Sequence, residues 1–90
     1  MLTHIVFWKF REEDKDTQIA EMKARLEALL PIIPQIKYMQ FGRALPGGEW
    51  DASLLTRFDS AEALQEYLQH PEHKKVSVYC KSVRTARTSV

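Results

Sequence analysis

Thr3-His4-Ile5-Val6-Phe7-Trp8-Lys9-Phe10 is the stretch whose reading decides the fold. It places β-branched and aromatic residues in most of eight positions, without Gly or Pro, which predicts a strand. Side chains alternate across a strand, so His4, Val6, Trp8 and Phe10 share one face, and Ile5, Phe7 and Lys9 share the other. Both faces are largely apolar. A strand with one wet face alternates more cleanly than this, so both faces must be covered and the strand must lie centrally in its sheet.

Working outward, residues 11–16 are all charged and close the strand. Asp14 or Asp16 is placed to cap a following helix by accepting from its free amides. From Thr17 to Leu30 the apolar residues Ile19, Met22, Leu26, Leu29 and Leu30 recur at helical spacing, giving an amphipathic helix with one buried stripe. Pro31 and Pro34 stop it. Ile36 to Ala44 reads as a second strand, with Gly42 marking a bulge or a close approach. Pro46-Gly47-Gly48 signals a turn, and Ala52 to Phe58 returns as a third strand. Asp59-Ser60-Ala61-Glu62 carries an N-cap and a first-turn carboxylate, the start of a second helix. That helix breaks before Pro71, because the residue preceding a proline is pushed out of the α region. Proline then fits the first position of a third helix, running to about Val83. Arg84 to Val90 is β-permissive but polar, a weak or edge strand.

The resulting order is β-α-β-β-α-β with the second helix broken. This predicts an α+β, ferredoxin-like domain over residues 1–90, its helices on one face of a four-stranded antiparallel sheet. The other face bears Ile5 and Phe7 and needs a partner. Sheet-to-sheet dimerisation into an α/β barrel supplies one. A 90-residue chain buries little more than about 60% of its unfolded surface, so it gains from such burial.

Thirteen basic and twelve acidic side chains leave a net charge of +1, which argues against an electrostatically driven partner such as nucleic acid. Lys74, Lys75, Lys81, Arg84 and Arg87 are too dispersed for a polybasic tract and read as a solvated face. No apolar run is long enough to span a membrane. The apolar N-terminus lacks the basic region and cleavage site of a signal peptide. A single cysteine, Cys80, excludes an internal disulfide and suits a reducing compartment. The expected location is cytoplasmic, with no nucleic-acid or membrane partner. Cys80 reads as a small buried apolar residue, Trp8 as core and Trp50 as a loop anchor. The Gly47-Gly48 turn lacks the following helix and lysine of a phosphate loop, and no cofactor is expected.

Several segments resemble the stress-responsive dimeric α/β-barrel (Dabb) family. They are Thr3 to Phe10, Ile32-Ile33-Pro34 leading to Phe41-Gly42, Phe58-Asp59-Ser60, and Tyr67-Leu68-Gln69-His70-Pro71-Glu72-His73. They span nearly the whole chain in the family's order, and the Tyr-x-x-His-Pro-x-His segment is the most specific. The resemblance implies a ferredoxin-like protomer, a homodimeric barrel and, for most members, no established chemistry. In the family's plant cyclases that form olivetolic acid, a histidine acts as general base in a sheet–helix cavity and a tyrosine orients the substrate carbonyl. The matching positions here are His73 and Tyr67, with His4 at a further polar cavity position. Ala52 stands where the cyclase has another cavity histidine, Met22, Lys23 and Leu26 replace its aromatic lining, and the polar Arg84–Ser89 replaces an apolar strand.

The residues leave the roles of these side chains open. His73 falls at the third position of the helix starting at Pro71, where free amides and the helix dipole disfavour imidazolium. A neutral imidazole is what a general base needs. Equally, His73 can simply pack beside the break, with Tyr67 a core aromatic. His70 is best placed to end one helix and satisfy free backbone groups. A metal reading needs His70, His73 and a further ligand such as His4, and the helix break fixes no common direction for them, so no metal is expected. Three readings follow: a homodimer binding a small apolar or carbonyl-containing ligand, a cyclase- or lyase-type enzyme with His73 as base, Tyr67 as hydrogen-bond donor and His4 as auxiliary, or a structural barrel with a filled core. Val6, Trp8, Met22, Leu26, Met39 and Val76 are the expected apolar lining of a ligand cavity.

Overall fold

A computed structural model describes residues 1–45 and 47–90. The elements are β1 (Leu2–Phe10), α1 (Lys15–Glu27), β2 (Tyr38–Arg43), β3 (Ala52–Phe58), α2 (Ala61–Gln69), α3 (Pro71–Val83) and β4 (Arg84–Ser89). The four strands form one antiparallel sheet in the order β2-β3-β1-β4, the ferredoxin-like arrangement. β1 lies between β3 and β4, the central position its two apolar faces require. Its inner face is the more deeply covered: Val6, Trp8 and Phe10 are 4–5% exposed, whereas Ile5 and Phe7 on the outer face are half-buried.

α1 buries Ile19, Met22 and Leu26 against the sheet's inner face. Its ends differ from the expected ones. Asp14 takes a left-handed conformation (φ 59°) and makes no side-chain cap, while its carbonyl accepts from Gln18 N at 2.9 Å. Asp16 lies inside the first turn rather than at the cap, and its carboxylate pairs with Arg43 of β2. At the other end the helix stops at Glu27, and residues 28–30 tighten into turns in which Leu29 N donates to Leu26 O and Leu30 N to Glu27 O. The chain therefore leaves the helix before Pro31 forces it to.

β3 occupies Ala52–Phe58 as expected, and Ser60 caps α2 by accepting from Ala63 N at 3.1 Å. Gly42 does not bulge: it pairs in unbroken register with Ser53, and a Cβ there would meet Ser53 Oγ at an ordinary 3.5 Å. The irregularity lies on the other side of β1, where the pairing with β4 shifts between Lys9 and Phe10. In the hairpin loop, Gly47 has φ 91°, and Pro46 of the expected turn lies outside the described residues. Trp50 anchors that loop, its ring 6.2 Å from Phe7. Asp51 clasps three segments: its carboxylate accepts from Phe10 N at 2.8 Å and from Lys15 Nζ at 3.1 Å, and its own amide donates to Trp8 O. The tail completes the sheet within the protomer, with Ile5 and Val90 exchanging two backbone hydrogen bonds of 2.8 Å.

Candidate functional site

The break between α2 and α3 is made by His70-Pro71. His70 has extended backbone (φ −63°, ψ 134°), as a residue before proline must. Its Nδ1 accepts from Glu72 N at 3.1 Å, so its side chain caps α3 while its own amide closes α2 on Tyr67 O. His70→Ala is expected to lower stability by about 1 kcal/mol, the usual value of an N-cap. His70→Asn, which keeps an acceptor, should recover most of that loss in a urea denaturation series.

The break turns α3 so that its first turns face Tyr67 and the inner face of β1. Between sheet and helices lies a cavity of about 210 Å³. β1 contributes His4, Val6 and Trp8 to its walls, and β3 contributes Leu54 and Thr56. Leu26, Tyr67 and Leu68 close it from α1 and α2, and His73, Val76, Ser77 and Cys80 from α3. Lys81, Arg84 and Arg87 complete the lining, and the exposure of Lys81 and Arg87 puts them at its mouth. A wider depression of about 880 Å³ lies between the start of α1 and the β2–β3 loop. It is open and charged, and most of its charges pair among themselves, Lys15 with Glu12 and Asp51, and Arg43 with Asp16.

His4, Tyr67 and His73 thus meet at one cavity, together with Val6, Trp8, Leu26 and Val76. Met22 and Met39 do not line it. Met22 is wholly buried in the core, and Met39 is half-buried on β2, one strand farther from the cavity and opposite Thr56. The Tyr67 and His73 rings lie 4.4 Å apart between centroids, and Phe58 backs Tyr67 at 5.1 Å. Burial is the main cause that lowers the His73 pKa; the Leu68 carbonyl opposes it, and Arg87, His4 and His70 add to it. The imidazole is therefore held neutral mainly by desolvation rather than by its place at a helix N-terminus. Its Nδ1 is buried and has no hydrogen-bond partner among the described residues. His4 is lowered too, by burial and then by Arg87. Burial pushes Tyr67 far up, so it remains a phenol. Cys80 is raised to about 11, first by burial, which keeps it a thiol with no nucleophilic character near neutral pH.

These shifts have a consequence for stability. Below the ordinary histidine value of 6.5 the unfolded chain binds protons that His4 and His73 refuse in the folded protein, so stability rises with pH there. It is fully present above pH 6.5 and is lost as pH falls towards the depressed folded values. Urea midpoints should drop between pH 7.5 and pH 5, and His73→Gln should flatten that slope.

His70 is not one of the lining residues, and its Nδ1 is already engaged by Glu72 N. Among the described residues no three His, Cys, Asp or Glu side chains gather closely enough to hold a metal ion. Reading the sequence missed the cationic part of the lining. Along a regular strand Arg84 and Arg87 point to opposite faces. Here Trp8 pairs with Arg87 and Phe10 with Arg84, so the irregularity beside Thr85 brings both arginines to the inner face. The last segment is thus not only a solvated face.

The sheet order, the broken second helix and the cavity between them define a ferredoxin-like α+β protein with a sheet–helix pocket. The chain belongs to the stress responsive A/B barrel domain (Dabb) family, which matches residues 2–90. Among solved structures it is similar to a dimeric protein of unknown function and ferredoxin-like fold from Bacteroides fragilis, at 28% identity and a TM-score of 0.89, covering 98% of this chain and 90% of that one. A Dabb family protein with a ferredoxin-like fold from Mesorhizobium loti is 14% identical, with a TM-score of 0.82 over 98% of this chain and 90% of its own. A hydroxynitrile lyase from Passiflora edulis shares the fold at 17% identity and a TM-score of 0.86, covering 98% of this chain and 87% of the lyase. No curated protein matches the sequence. No helix among the described residues is long and apolar enough to cross a membrane.

Proposed function

We propose that this chain acts as a single-domain, cytoplasmic homodimer, each protomer binding a small apolar or carbonyl-containing molecule in its sheet–helix cavity. The observation that carries this reading is the cavity of about 210 Å³ bordered by His4, Tyr67 and His73. A dry cavity of about 150 Å³ takes benzene, so this one suits a single ring with a small substituent. The dimer is supported by the half-buried Ile5, Phe7 and Leu55 on the sheet's outer face and by similarity to the Bacteroides protein described as dimeric. Native mass spectrometry of the protein as isolated tests both parts. The expected spectrum shows a dimer carrying a small organic adduct that Val76→Trp removes. An adduct that survives the filling of the cavity would place the ligand elsewhere.

A second reading is favoured by one further observation, the buried, unpartnered Nδ1 of His73 beside the Tyr67 ring. A neutral imidazole there accepts a proton from a carbon next to a carbonyl, while the Tyr67 hydroxyl donates a hydrogen bond to the carbonyl oxygen as charge builds on it. The Passiflora edulis hydroxynitrile lyase shares the fold with this chain. Turnover by this route should fall at least about 100-fold in His73→Ala, the usual worth of a general base. Turnover that survives the substitution rules out the base assignment.

A further inference from the structure

We propose that the molecule bound in this cavity is a small organic carboxylate, its apolar body against Val6, Trp8 and Leu26 and its carboxylate between Arg84 and Arg87. This rests on the reading of the cavity as a ligand site and goes beyond it by fixing the ligand's charge.

Three independent observations lead to it. First, the charged lining has one sign: Lys81, Arg84 and Arg87 border the cavity, and among the described residues no Asp or Glu does. Second, none of these three cations makes an ion pair among the described residues, although lysines and arginines elsewhere do, including Lys15, Lys23 and Arg43. Arg87 bears a cost for this arrangement. Its pKa lies below the ordinary arginine value, through burial and then through the like charge of Arg84. An anion between the two guanidiniums relieves that repulsion and accepts charge-assisted hydrogen bonds in fork geometry. Third, Trp8 borders the same space, and its indole N–H is buried with no acceptor among the described residues. A buried donor of this kind is satisfied by a ligand oxygen. The bulge that turns Arg84 and Arg87 to one face is the device that assembles the site.

The apolar walls set the rest of the ligand. A bare anion leaves Val6, Trp8 and Leu26 uncovered, whereas a ring-sized body fills the space beside them.

Benzoate, benzamide and acetate separate these contributions when titrated into the 15N-labelled protein at low salt. Benzoate is expected to shift amides of β4 and of the first turns of α3, and to bind at least about 10-fold more tightly than its neutral isostere benzamide, with acetate weaker than both. The benzoate-to-benzamide ratio should shrink as sodium chloride is raised, and fall to about 1 in the double variant Arg84→Gln, Arg87→Gln. That variant relieves a like-charge contact, so its urea midpoint should not fall below that of the natural chain. Equal binding of benzoate and benzamide by the natural chain overturns the carboxylate proposal while leaving an apolar ligand site intact. Undiminished benzoate preference in the double variant overturns it as well. No shift at cavity residues from any of the three overturns both this proposal and the reading beneath it.

Discussion

Leu55→Glu is expected to yield a folded monomer. Leu55 lies directly opposite Ile5 in the β1–β3 ladder, on the outer face that also carries Phe7. Both are half-buried in the protomer, so the fold itself does not depend on covering them. In a two-fold symmetric sheet-to-sheet dimer each substitution occurs twice, and every carboxylate would be buried without a cation. The effective penalty is several kcal/mol per ion, and a loss of about 4 kcal/mol raises a dissociation constant about 1,000-fold. Light scattering at micromolar concentration should report a dimer for the natural chain and half that mass for the variant, with far-UV dichroism unchanged. Leu55→Met, which conserves volume and polarity, should remain dimeric. A natural chain that is already monomeric at micromolar concentration refutes the barrel outright.

What could be read in the sequence follows from how locally each feature is determined. The break at His70-Pro71 was legible because a proline constrains its own neighbour, and the bounds of β3 followed from an uninterrupted run ending at a capping serine. The ends of α1 were not. Asp16 reads as a cap by position, but the helix starts one residue before it, and its carboxylate pairs with Arg43, a residue 27 positions distant that only the fold brings near. Pairing also determines the cationic lining: the shift between Lys9 and Phe10 reverses the face of Arg84, and nothing within residues 84–90 announces it. The assignment of Met22 and Met39 to the cavity failed for a related reason. Periodicity says which face a side chain shares, not how far along the element a cavity extends. His4, Tyr67 and His73 could be named together because a family motif links residues that the sequence alone keeps apart.

The cavity's chemistry is consistent across its parts. Its histidines are held neutral and its tyrosine protonated, chiefly by burial, while its mouth is cationic. Arg87 adds to the lowering of both histidines. An anion bound beside it would offset that influence and raise their proton affinity. Ligand charge and imidazole protonation are therefore coupled, and benzoate binding should move the His73 titration upward when followed by NMR.

Phe58→Ala is expected to have the largest effect on stability and to reach the site as well. Phe58 is wholly buried, and truncating such a side chain costs about 3–5 kcal/mol through lost transfer energy and the void left behind. A domain of this size is stable by only about 5–15 kcal/mol, so the melting temperature should fall by at least about 12 °C. Midpoints must be compared at one protein concentration, because dimer association contributes to stability. The effect on the site arises from the stack Phe58–Tyr67–His73, with ring centroids 5.1 and 4.4 Å apart. Without the Phe58 ring, Tyr67 is free to move back into the vacated space and away from His73. The imidazole then loses part of the burial that lowers its pKa, and its titration should move up towards 6.5. Phe58→Leu fills most of the space and is expected to lose clearly less stability than Phe58→Ala, because it leaves the smaller void, and to keep the low His73 value. If Phe58→Ala proved strongly destabilising while the His73 titration stayed where it is, Tyr67 would be held by α2 alone, and the stack would have no part in setting the site.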